Sequence, residues 1–257
     1  MRLSILIPAY NERLTISQVI AAVCKALPAV DKEVIVVDDC STDGTGTFLK
    51  SIFAAAPERC RAVTLRADGG LDFEAATTGD ASSIAFRILT HDRNRGKGGA
   101  LRTAMAAVTG DVVVIQDADL EYDPQDWAQM YDLIAERKVA DVVYGSRFYG
   151  RPHRSLFYHH FLANKLISVL FNILYNQTLT DIEVCYKMFT REVLNTLRLT
   201  CDDFGIEVEI SAQISLNRKL RIYETGISYY GRTYEEGKKV NWRDGLKALW
   251  YIVKFRI

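Results

Sequence analysis

Three carboxylates at a spacing of two residues follow a short apolar run in the middle of the chain. Asp117, Asp119 and Glu121 come directly after residues 112–116, which read VVVIQ. In an extended backbone, side chains two positions apart lie on the same side. Because neighbouring carboxylates repel each other, they favour a cation among them, and Mg²⁺ or Mn²⁺ prefers oxygen ligands and bridges to substrate phosphates. We interpret the motif as a metal and phosphate site rather than an acidic loop that only caps a helix.

A second acidic pair, Asp38 and Asp39, stands at the end of another apolar run, EVIVVD. A carboxylate at the tip of a parallel strand commonly accepts hydrogen bonds from the ribose or base of a nucleotide. The polar residues that come next, CSTDGT, can instead cap the following helix. Both interpretations can hold together, with the acidic pair on the ligand and Asp43 on the helix.

Two further loops carry residues that suit a phosphorylated ligand. After the first apolar run, the loop PAYNE contains Pro8, Tyr10 and Glu12, although its Asn and Glu can also cap the first helix. The segment NRGKGG carries Lys97 before a helix, where glycines allow close backbone approach and the helix N-terminus favours anions. It is not a Walker A loop, because Gly98 follows the lysine where Ser or Thr is required.

The first half of the chain alternates predicted strands and helices. Short apolar runs predict five strands, at residues 3–8, 33–38, 84–89, 112–116 and 142–145. Helical spacing of apolar residues predicts helices between them, at residues 15–27, 44–56, 97–108 and 125–136. This alternation predicts an α/β fold with a mostly parallel central sheet and helices on both faces, in which the strand-end motifs gather at one edge.

The rest of the chain departs from that alternation. Residues 67–83, rich in Gly, Ala, Thr, Ser and Asp, are predicted to form a surface insertion of unknown purpose. Beyond residue 150 we predict, in chain order, a long helix, a strand, two helices, a strand and a last helix, at residues 157–176, 184–189, 192–197, 206–216, 220–227 and 242–255. We therefore divide the chain into a main domain, 1–232, and a basic amphipathic C-terminal segment, 233–257.

Composition and charge exclude several classes of protein. The 257 residues are 25% charged and 49% hydrophobic, which excludes a disordered or low-complexity chain. Lys and Arg together number 32, as do Asp and Glu, so no net charge favours nucleic-acid binding. The five cysteines include no CxxC pair and indicate reduced thiols in a cytoplasmic protein. We expect neither a signal peptide nor a membrane-spanning helix.

Six motifs together resemble family 2 glycosyltransferases, and are most similar to the dolichyl- and polyprenyl-phosphate sugar synthases of that family. They read PAYNE, VVDDCSTDGT, NRGKGGALRTA, DADLEY, GSRF and YYGRTYEEGKK, and they follow the family order over nearly the whole chain. The resemblance implies a GT-A nucleotide-binding fold and a catalytic domain over residues 1–232. It also implies an inverting transfer of a hexose from a UDP- or GDP-linked sugar to a polyprenyl or dolichyl phosphate, with Mg²⁺ or Mn²⁺ as cofactor.

The resemblance implies roles for residues on the donor side. Asp39 and the PAYNE loop would hold the nucleotide of the sugar donor. Lys97 would lie near the donor. Asp117 and Asp119, with Ala118 between them, would form the metal-binding DxD motif of the family.

It also implies roles for residues beyond the DxD motif. Glu121 would complete the set of metal ligands. Arg147 of GSRF would meet a phosphate of the acceptor or the donor. Arg232 and Lys238, in the motif YYGRTYEEGKK, would close over the phosphates.

The nature of the acceptor decides whether a base is needed. A lipid phosphate is already an anionic nucleophile at neutral pH, so positioning is most of the task. A hydroxyl acceptor on a glycan or lipid, as in cell-envelope or polysaccharide synthesis, would need a general base, for which Asp181, Glu207 and Glu209 are the candidates. A further alternative is a scaffold subunit that binds the nucleotide sugar without catalysis, which the intact set of charged residues argues against.

The C-terminal segment bears on possible partners. From residue 218 onward, ten Lys and Arg stand against four Asp and Glu. The last predicted helix carries apolar residues on one face, namely Trp242, Leu246, Leu249, Trp250 and Val253. Such a face can lie on an anionic membrane or pack on the domain. We expect a cytoplasmic protein in peripheral contact with a membrane; the donor base and sugar, and whether the chain forms a homo-oligomer, stay open.

Overall fold

The computed structural model describes residues 1–150, 152–155, 157–233, 235–236 and 242–256, with the backbone only for His159, Trp242 and Arg243. The strands are β1 Leu3–Ala9, β2 Lys32–Asp38, β3 Cys60–Leu65, β4 Leu71–Ala75, β5 Ile84–Thr90, β6 Val112–Ile115, β7 Val142–Ser146, β8 Lys187–Thr190 and β9 Ile222–Gly226. The helices are α1 Ile16–Lys25, α2 Thr45–Ala54, α3 Gly96–Ala106, α4 Trp127–Tyr131, α5 Tyr158–Tyr175, α6 Arg191–Thr196, α7 Ile206–Leu216 and α8 Trp242–Lys254. A 3₁₀ turn, Pro124–Asp126, leads into α4, and a π-helical turn, Asp132–Glu136, follows it.

Four parallel strands form the middle of one sheet, whose described strands have the order β4-β3-β5-β2-β1-β6-β8-β7-β9. Within it, β5, β2, β1 and β6 all run in the same direction. Every residue of β2 and β6 is buried, as expected of parallel strands that are covered on both faces. The predicted α/β fold with a parallel core is therefore confirmed. Because β1, β2 and β6 end at the same edge, the loops that follow them meet there.

Strand β8 brings a later part of the chain to the same edge. It lies between β6 and β7 and runs antiparallel to both, with Val114 paired to Met188 and Tyr144 paired to Lys187. The start of β8 therefore lies beside the ends of β6 and β7. As a consequence, the residues just before β8 and just after β7 lie next to the acidic motif that follows β6.

The region predicted to be a surface insertion, residues 67–83, is in part a piece of the sheet. Strands β3 and β4 form an antiparallel hairpin whose turn contains Gly69 at a positive φ of 80°. Phe73 of β4 packs against Phe53 and Phe86, at ring-centroid distances of 6.3 and 5.5 Å. The sequence did not predict these two strands, because most of their residues are exposed or partly exposed and polar residues interrupt their apolar pattern.

Helix α8 packs against α5 and α7, and Leu249 of the predicted apolar face packs against the core. Ala248 and Ile252 are buried, whereas Leu246 and Trp250 are each 57% exposed and Val253 is 46% exposed. The small and β-branched residues of the opposite face make the closer contact with the domain. The predicted apolar face thus points largely outward, at the positions whose side chains are described.

A second exposed apolar stripe lies on α5, which contacts α8. Its exposed side chains are Phe161, Leu162, Leu166, Val169 and Ile173. No helix within the described ranges combines the length and the apolar character needed to cross a bilayer.

Candidate functional site

A cavity of about 550 Å³ opens at the edge of the sheet where β1, β2 and β6 end. Predicted site residues that line it are Pro8, Tyr10, Glu12, Asp39, Lys97, Asp117, Ala118, Asp119, Glu121, Arg147 and Arg232. The predicted base Glu207 also lines it, whereas three predicted residues, Asp38, Asp181 and Glu209, do not. Lys238 lies outside the described residues. The cavity therefore collects side chains from loops that are far apart in sequence, as the parallel topology predicted.

Each carboxylate of the DxD motif contacts a basic side chain. The Lys97 Nζ lies 2.7 Å from Asp117 Oδ1, and an Arg232 Nη lies 2.6 Å from Asp119 Oδ2. Burial, the largest cause, and the charges of Asp117 and Glu121 together raise the pKa of Asp119 to about 7, although Arg232 opposes the rise. The motif is thus a concentration of negative charge that two cations partly neutralise.

Glu121 is turned towards Arg232 and not into a shared ligand set. Its carboxylate accepts hydrogen bonds from the Arg232 backbone N–H at 2.9 Å and from the Tyr229 hydroxyl at 3.0 Å. Within the described chain, no three His, Cys, Asp or Glu side chains are arranged to hold a metal ion. The expected set of three carboxylates is therefore not formed, because after β6 the backbone bends instead of continuing as an extended strand.

Lys97 belongs to a chain of four alternating charges that extends below the cavity. Besides Asp117, its ammonium lies 3.0 Å from Glu207 of α7, and Glu207 in turn accepts from Lys187 at 2.5 Å. Burial lowers the pKa of Lys97, but attraction by Asp117 and Glu207 outweighs it and holds the pKa well above the usual value. Glu207, one of the predicted bases, therefore faces the cavity as the partner of two lysines.

The third predicted base, Glu209, has a structural role. Its carboxylate accepts hydrogen bonds from the backbone N–H groups of Thr200 and Cys201, at 2.9 and 2.8 Å. It is 1% exposed and does not line the cavity. Glu209 fixes the loop before α7, and the expectation that it could act as a base is wrong.

The two acidic residues at the end of β2, Asp38 and Asp39, have different surroundings. Asp39 lines the cavity, and its carboxylate accepts from the backbone N–H groups of Arg95 and Gly96, both at 2.8 Å, and lies 2.6 Å from His91 Nδ1. Asp39 therefore ties the loop before α3 to the end of β2. Sequence analysis missed His91, which carries no motif of its own.

Asp38 faces away from the cavity, contrary to expectation. Its carboxylate accepts from the Ser41 backbone N–H at 3.2 Å. A Cβ on Gly46, in the first turn of α2, would lie 2.2 Å from Asp38 Oδ2, so the helix approaches this carboxylate directly. Asp38 is packed against the start of α2 and does not line the cavity.

Arg147 reaches the cavity from the end of β7 and is held by Asp181. The guanidinium donates two hydrogen bonds to the Asp181 carboxylate, each at 2.6 Å, and Asp181 is 1% exposed. Burial lowers the pKa of Arg147, but Asp181 outweighs it and raises the pKa well above the usual value. Asp181 thus orients Arg147, and its role as a general base stays a prediction.

Several cavity residues were not predicted from the sequence. Asn164 of α5, Glu183 and Cys185 before β8, Phe204, and Tyr229 all line it. They come from the second half of the chain, where no apolar run in the sequence indicated which residues lie near the site. Only the antiparallel insertion of β8, which single-sequence patterns do not reveal, brings Glu183 and Cys185 to this edge.

Comparison with known proteins agrees with this architecture. A family model described as Glycosyl transferase family 2 matches residues 4–72 and 74–198, most of the chain. The dolichyl-phosphate beta-glucosyltransferase of Dictyostelium discoideum is 25% identical over 227 residues, 82% of this chain and 62% of that protein. The dolichol-phosphate mannosyltransferase of Pyrococcus furiosus is 23% identical over 66% of this chain and 40% of that protein.

A third relative is covered more completely. The polyprenol monophosphomannose synthase of Mycolicibacterium smegmatis is 25% identical over 235 residues, 90% of this chain and 78% of that protein. The chain therefore spans 40 to 78% of the lengths of these three relatives.

A solved structure shows the same fold. Glucosyl-3-phosphoglycerate synthase from Mycobacterium tuberculosis, in complex with Mn²⁺, UDP-glucose and phosphoglyceric acid, superposes with a TM-score of 0.67 at 18% identity. The match covers 99% of this chain and 79% of that one, and confirms the GT-A fold that the motifs predicted. With a family model that matches both the strand-end loops and the segment before β8, the chain belongs to glycosyl transferase family 2.

Proposed function

We propose that this protein is a metal-dependent inverting glycosyltransferase that moves a hexose from a nucleotide-diphosphate sugar to a polyprenyl or dolichyl phosphate. The observation that carries the proposal is the pairing of Asp117 and Asp119 with Lys97 and Arg232 at the strand-end cavity. Carboxylates that can hold a metal, together with cations that can hold phosphates, are the groups needed to stabilise a departing nucleoside diphosphate. The names of the curated relatives support the choice of acceptor.

The donor side of the cavity suits a nucleotide. The loop after β1, with Pro8, Tyr10 and Glu12, and the carboxylate of Asp39 line the wall formed by β1 and β2. Ligands in open α/β sheets bind at the carboxyl ends of such strands. We propose that this wall holds the base and ribose, and that Lys97 and Arg232 contact the diphosphate.

The carboxylates fit Mg²⁺ or Mn²⁺ in the way these ions usually bind beside phosphates. Mg²⁺ commonly takes one or two protein carboxylates and completes its shell with water and substrate phosphates. Asp117 and Asp119 supply two, and the clustered charge that raises the pKa of Asp119 is the environment a cation relieves. When bound, the ion would stabilise negative charge on the leaving diphosphate. Glu121 is left out of this ligand set.

The acceptor side of the cavity suits a phosphate. Arg147 presents a guanidinium whose orientation is fixed by Asp181, and Lys187 and Lys97 add positive charge nearby. A phosphate acceptor needs no proton removed at neutral pH, so an oriented cation and a fixed distance to the sugar suffice. The two hydrogen bonds between Asp181 and Arg147 make Asp181 less available as a base for a hydroxyl acceptor, which supports a phosphate acceptor.

The outer surface suits a peripheral position on the cytoplasmic face of a membrane. The exposed apolar side chains of α5 and α8 adjoin the cavity wall, which includes Asn164 and Ala248 of the same helices. Exposed Lys247 and Lys254 on α8 add positive charge beside them. Apolar and basic side chains together favour anionic bilayers. The five free cysteines are consistent with a reducing compartment.

A transfer assay tests the proposal. The protein is incubated with labelled UDP-glucose or GDP-mannose, a short polyprenyl phosphate, and either Mg²⁺, Mn²⁺ or a chelator. We expect one donor to label the lipid, the chelator to abolish transfer, and mild acid to release the sugar as expected of a glycosyl phosphate. A lipid product that resists mild acid would contradict the phosphate acceptor, and transfer that survives the chelator would contradict the metal requirement.

A further inference from the structure

Glu183 differs from the other carboxylates of the cavity in having no ionic partner. It lies in the segment between α5 and β8, two residues after Asp181, and its side chain lines the cavity. Within the described chain it makes no hydrogen bond and no ion pair, whereas Asp117, Asp119 and Glu207 each contact a Lys or Arg. Glu183 is partly buried. A carboxylate that is largely removed from water without a partner is unfavourable, so folding alone does not account for this residue.

The neighbours of Glu183 do not compensate for its burial. Burial, the largest cause, and the charges of Asp181 and Glu207 together raise the pKa of Glu183 to about 7, although the charges of Arg147 and Lys187 oppose the rise. Both cations are committed elsewhere, Arg147 to Asp181 and Lys187 to Glu207. The carboxyl group is therefore close enough to both ion pairs to sense their charges, and yet belongs to neither.

Glu183 lies near groups on both the proposed acceptor side and the proposed donor side of the cavity. It interacts electrostatically with Arg147, on the proposed acceptor side, and with Glu207. Glu207 is joined through Lys97 to Asp117, on the proposed donor side. In a direct displacement the anomeric carbon passes from a donor oxygen to an acceptor oxygen, so the hexose ring must lie between the two phosphate sites. A group near both sites adjoins the ring.

We infer that Glu183 accepts hydrogen bonds from hydroxyl groups of the transferred hexose and thereby selects the sugar. The inference rests on the proposed function. A carboxylate repels phosphates but accepts well from hydroxyls, which the donor carries on its ribose and its hexose. Since we assign the ribose to the wall formed by β1 and β2, the hexose is the part left for Glu183. The sugar hydroxyls supply the hydrogen-bond partner for Glu183 that the described protein does not supply. A donor whose sugar lacks these hydroxyls leaves the carboxylate unpaired, and binding of that donor is strongly disfavoured.

The test separates sugar binding from nucleotide binding. Dissociation constants are measured by calorimetry with Mg²⁺ for UDP, UDP-glucose, GDP and GDP-mannose, on the wild type and on Glu183→Gln. The quantity of interest is the ratio of nucleotide to nucleotide-sugar dissociation constants for the same base. We expect the wild type to bind one nucleotide sugar more tightly than its nucleotide, and Glu183→Gln to lose about 10- to 100-fold of that ratio while binding the nucleotide itself as before.

Two further variants control the measurement. Glu183→Asp keeps the charge but shortens the side chain, so it reduces the ratio even if the amide variant folds poorly. Glu224→Gln makes the same chemical change at a largely buried glutamate that bonds Thr180 and does not line the cavity. It is expected to leave the ratio unchanged.

The other outcomes overturn the inference in distinguishable ways. If the wild type binds no nucleotide, the proposed function fails and the inference fails with it. If nucleotide binds but the sugar adds nothing, or if Glu183→Gln keeps the full ratio, the inference alone is wrong. Unchanged binding together with a large loss of kcat would make Glu183 a general base, and would also overturn the inference.

Discussion

The two sides of the cavity handle charge in different ways. On the donor side, Asp117 and Asp119 are each matched by a cation that is itself a proposed phosphate ligand, so binding exchanges one set of ionic contacts for another. On the acceptor side, Arg147 is fixed by the buried Asp181, and Glu183 is left without a partner. We therefore expect the proposed donor side to exchange its ionic contacts when a ligand binds, and the proposed acceptor side to keep its arrangement.

The largest expected effect tests the donor side. Asp119→Asn removes one charge of the proposed metal site and frees Arg232, and we expect the rate of hexose transfer to fall about 10³-fold. Asp123→Asn is the matched control, because Asp123 lies four residues away, does not line the cavity, and its side chain accepts a hydrogen bond from the Gln125 backbone N–H. Initial rates with labelled donor measure both. A similar loss in the two variants would mean that the effect is on folding and not on the site.

The next effect tests whether the acceptor side is held rigidly. Asp181→Asn breaks a buried ion pair, so the free energy of unfolding falls by about 3 kcal/mol and the KM for polyprenyl phosphate rises while that for the donor changes little. Asp141→Asn breaks the exposed pair with Arg221, which contributes at most about 1 kcal/mol. Denaturant titrations and KM values for both substrates measure the contrast. A kcat loss without any change in acceptor KM would instead indicate a base.

The pH dependence of stability tests whether the unpaired carboxyl group of Glu183 destabilises the fold when it is ionised. The pKa of Glu183, about 7, exceeds the usual 4.5, so the unfolded chain loses its proton first and stability falls as pH rises between these values. Glu183→Gln should therefore raise the melting temperature above pH 7 and have no such effect below about pH 4.5. Glu209→Gln, which weakens hydrogen bonds to Thr200 and Cys201, should lower it. A destabilised Glu183→Gln at pH 8 would show that this residue serves the fold.

The smallest expected effect concerns the surface beside the cavity. Leu166→Glu places a charge in the exposed stripe of α5, and binding to vesicles with anionic lipids should weaken about tenfold. Leu65→Glu makes the same change at an exposed leucine of β3, near the β4 edge of the sheet, and should have little effect. Co-sedimentation measures both. Equal weakening in the two variants would show that net charge, not this stripe, governs attachment.

Sequence patterns predicted the donor side better than the acceptor side, for a physical reason. Buried parallel strands are continuous apolar runs, and their ends locate Asp39 and Asp117 without knowledge of any distant contact. The pairing of Arg147 with Asp181 and the exposure of Glu183 to the cavity depend on the antiparallel insertion of β8, which joins segments far apart in the chain. Local sequence patterns contain no information on which distant segments of the chain lie side by side.

The terminal helix shows a second limit of sequence patterns. Its residues are apolar on two faces, Ala248 and Ile252 on one and Leu246 and Trp250 on the other. The larger side chains dominate the pattern, so the sequence identified an apolar face. It did not identify which face packs on the domain, because that depends on the shape of the α5 and α7 surfaces.

The hairpin of β3 and β4 has a consequence for how copies of the protein behave when crowded together. β4 is an outer strand whose unpaired backbone groups could join another sheet, a common route to aggregation. Its exposed Asp72 and Glu74 are paired with Arg66 and Arg61 of β3 and its turn, so the border of the sheet carries charge of both signs. A border of this kind resists adhesion between neighbours. We therefore expect this hairpin, for which the sequence indicated no purpose, to help keep the protein dispersed at high local concentration.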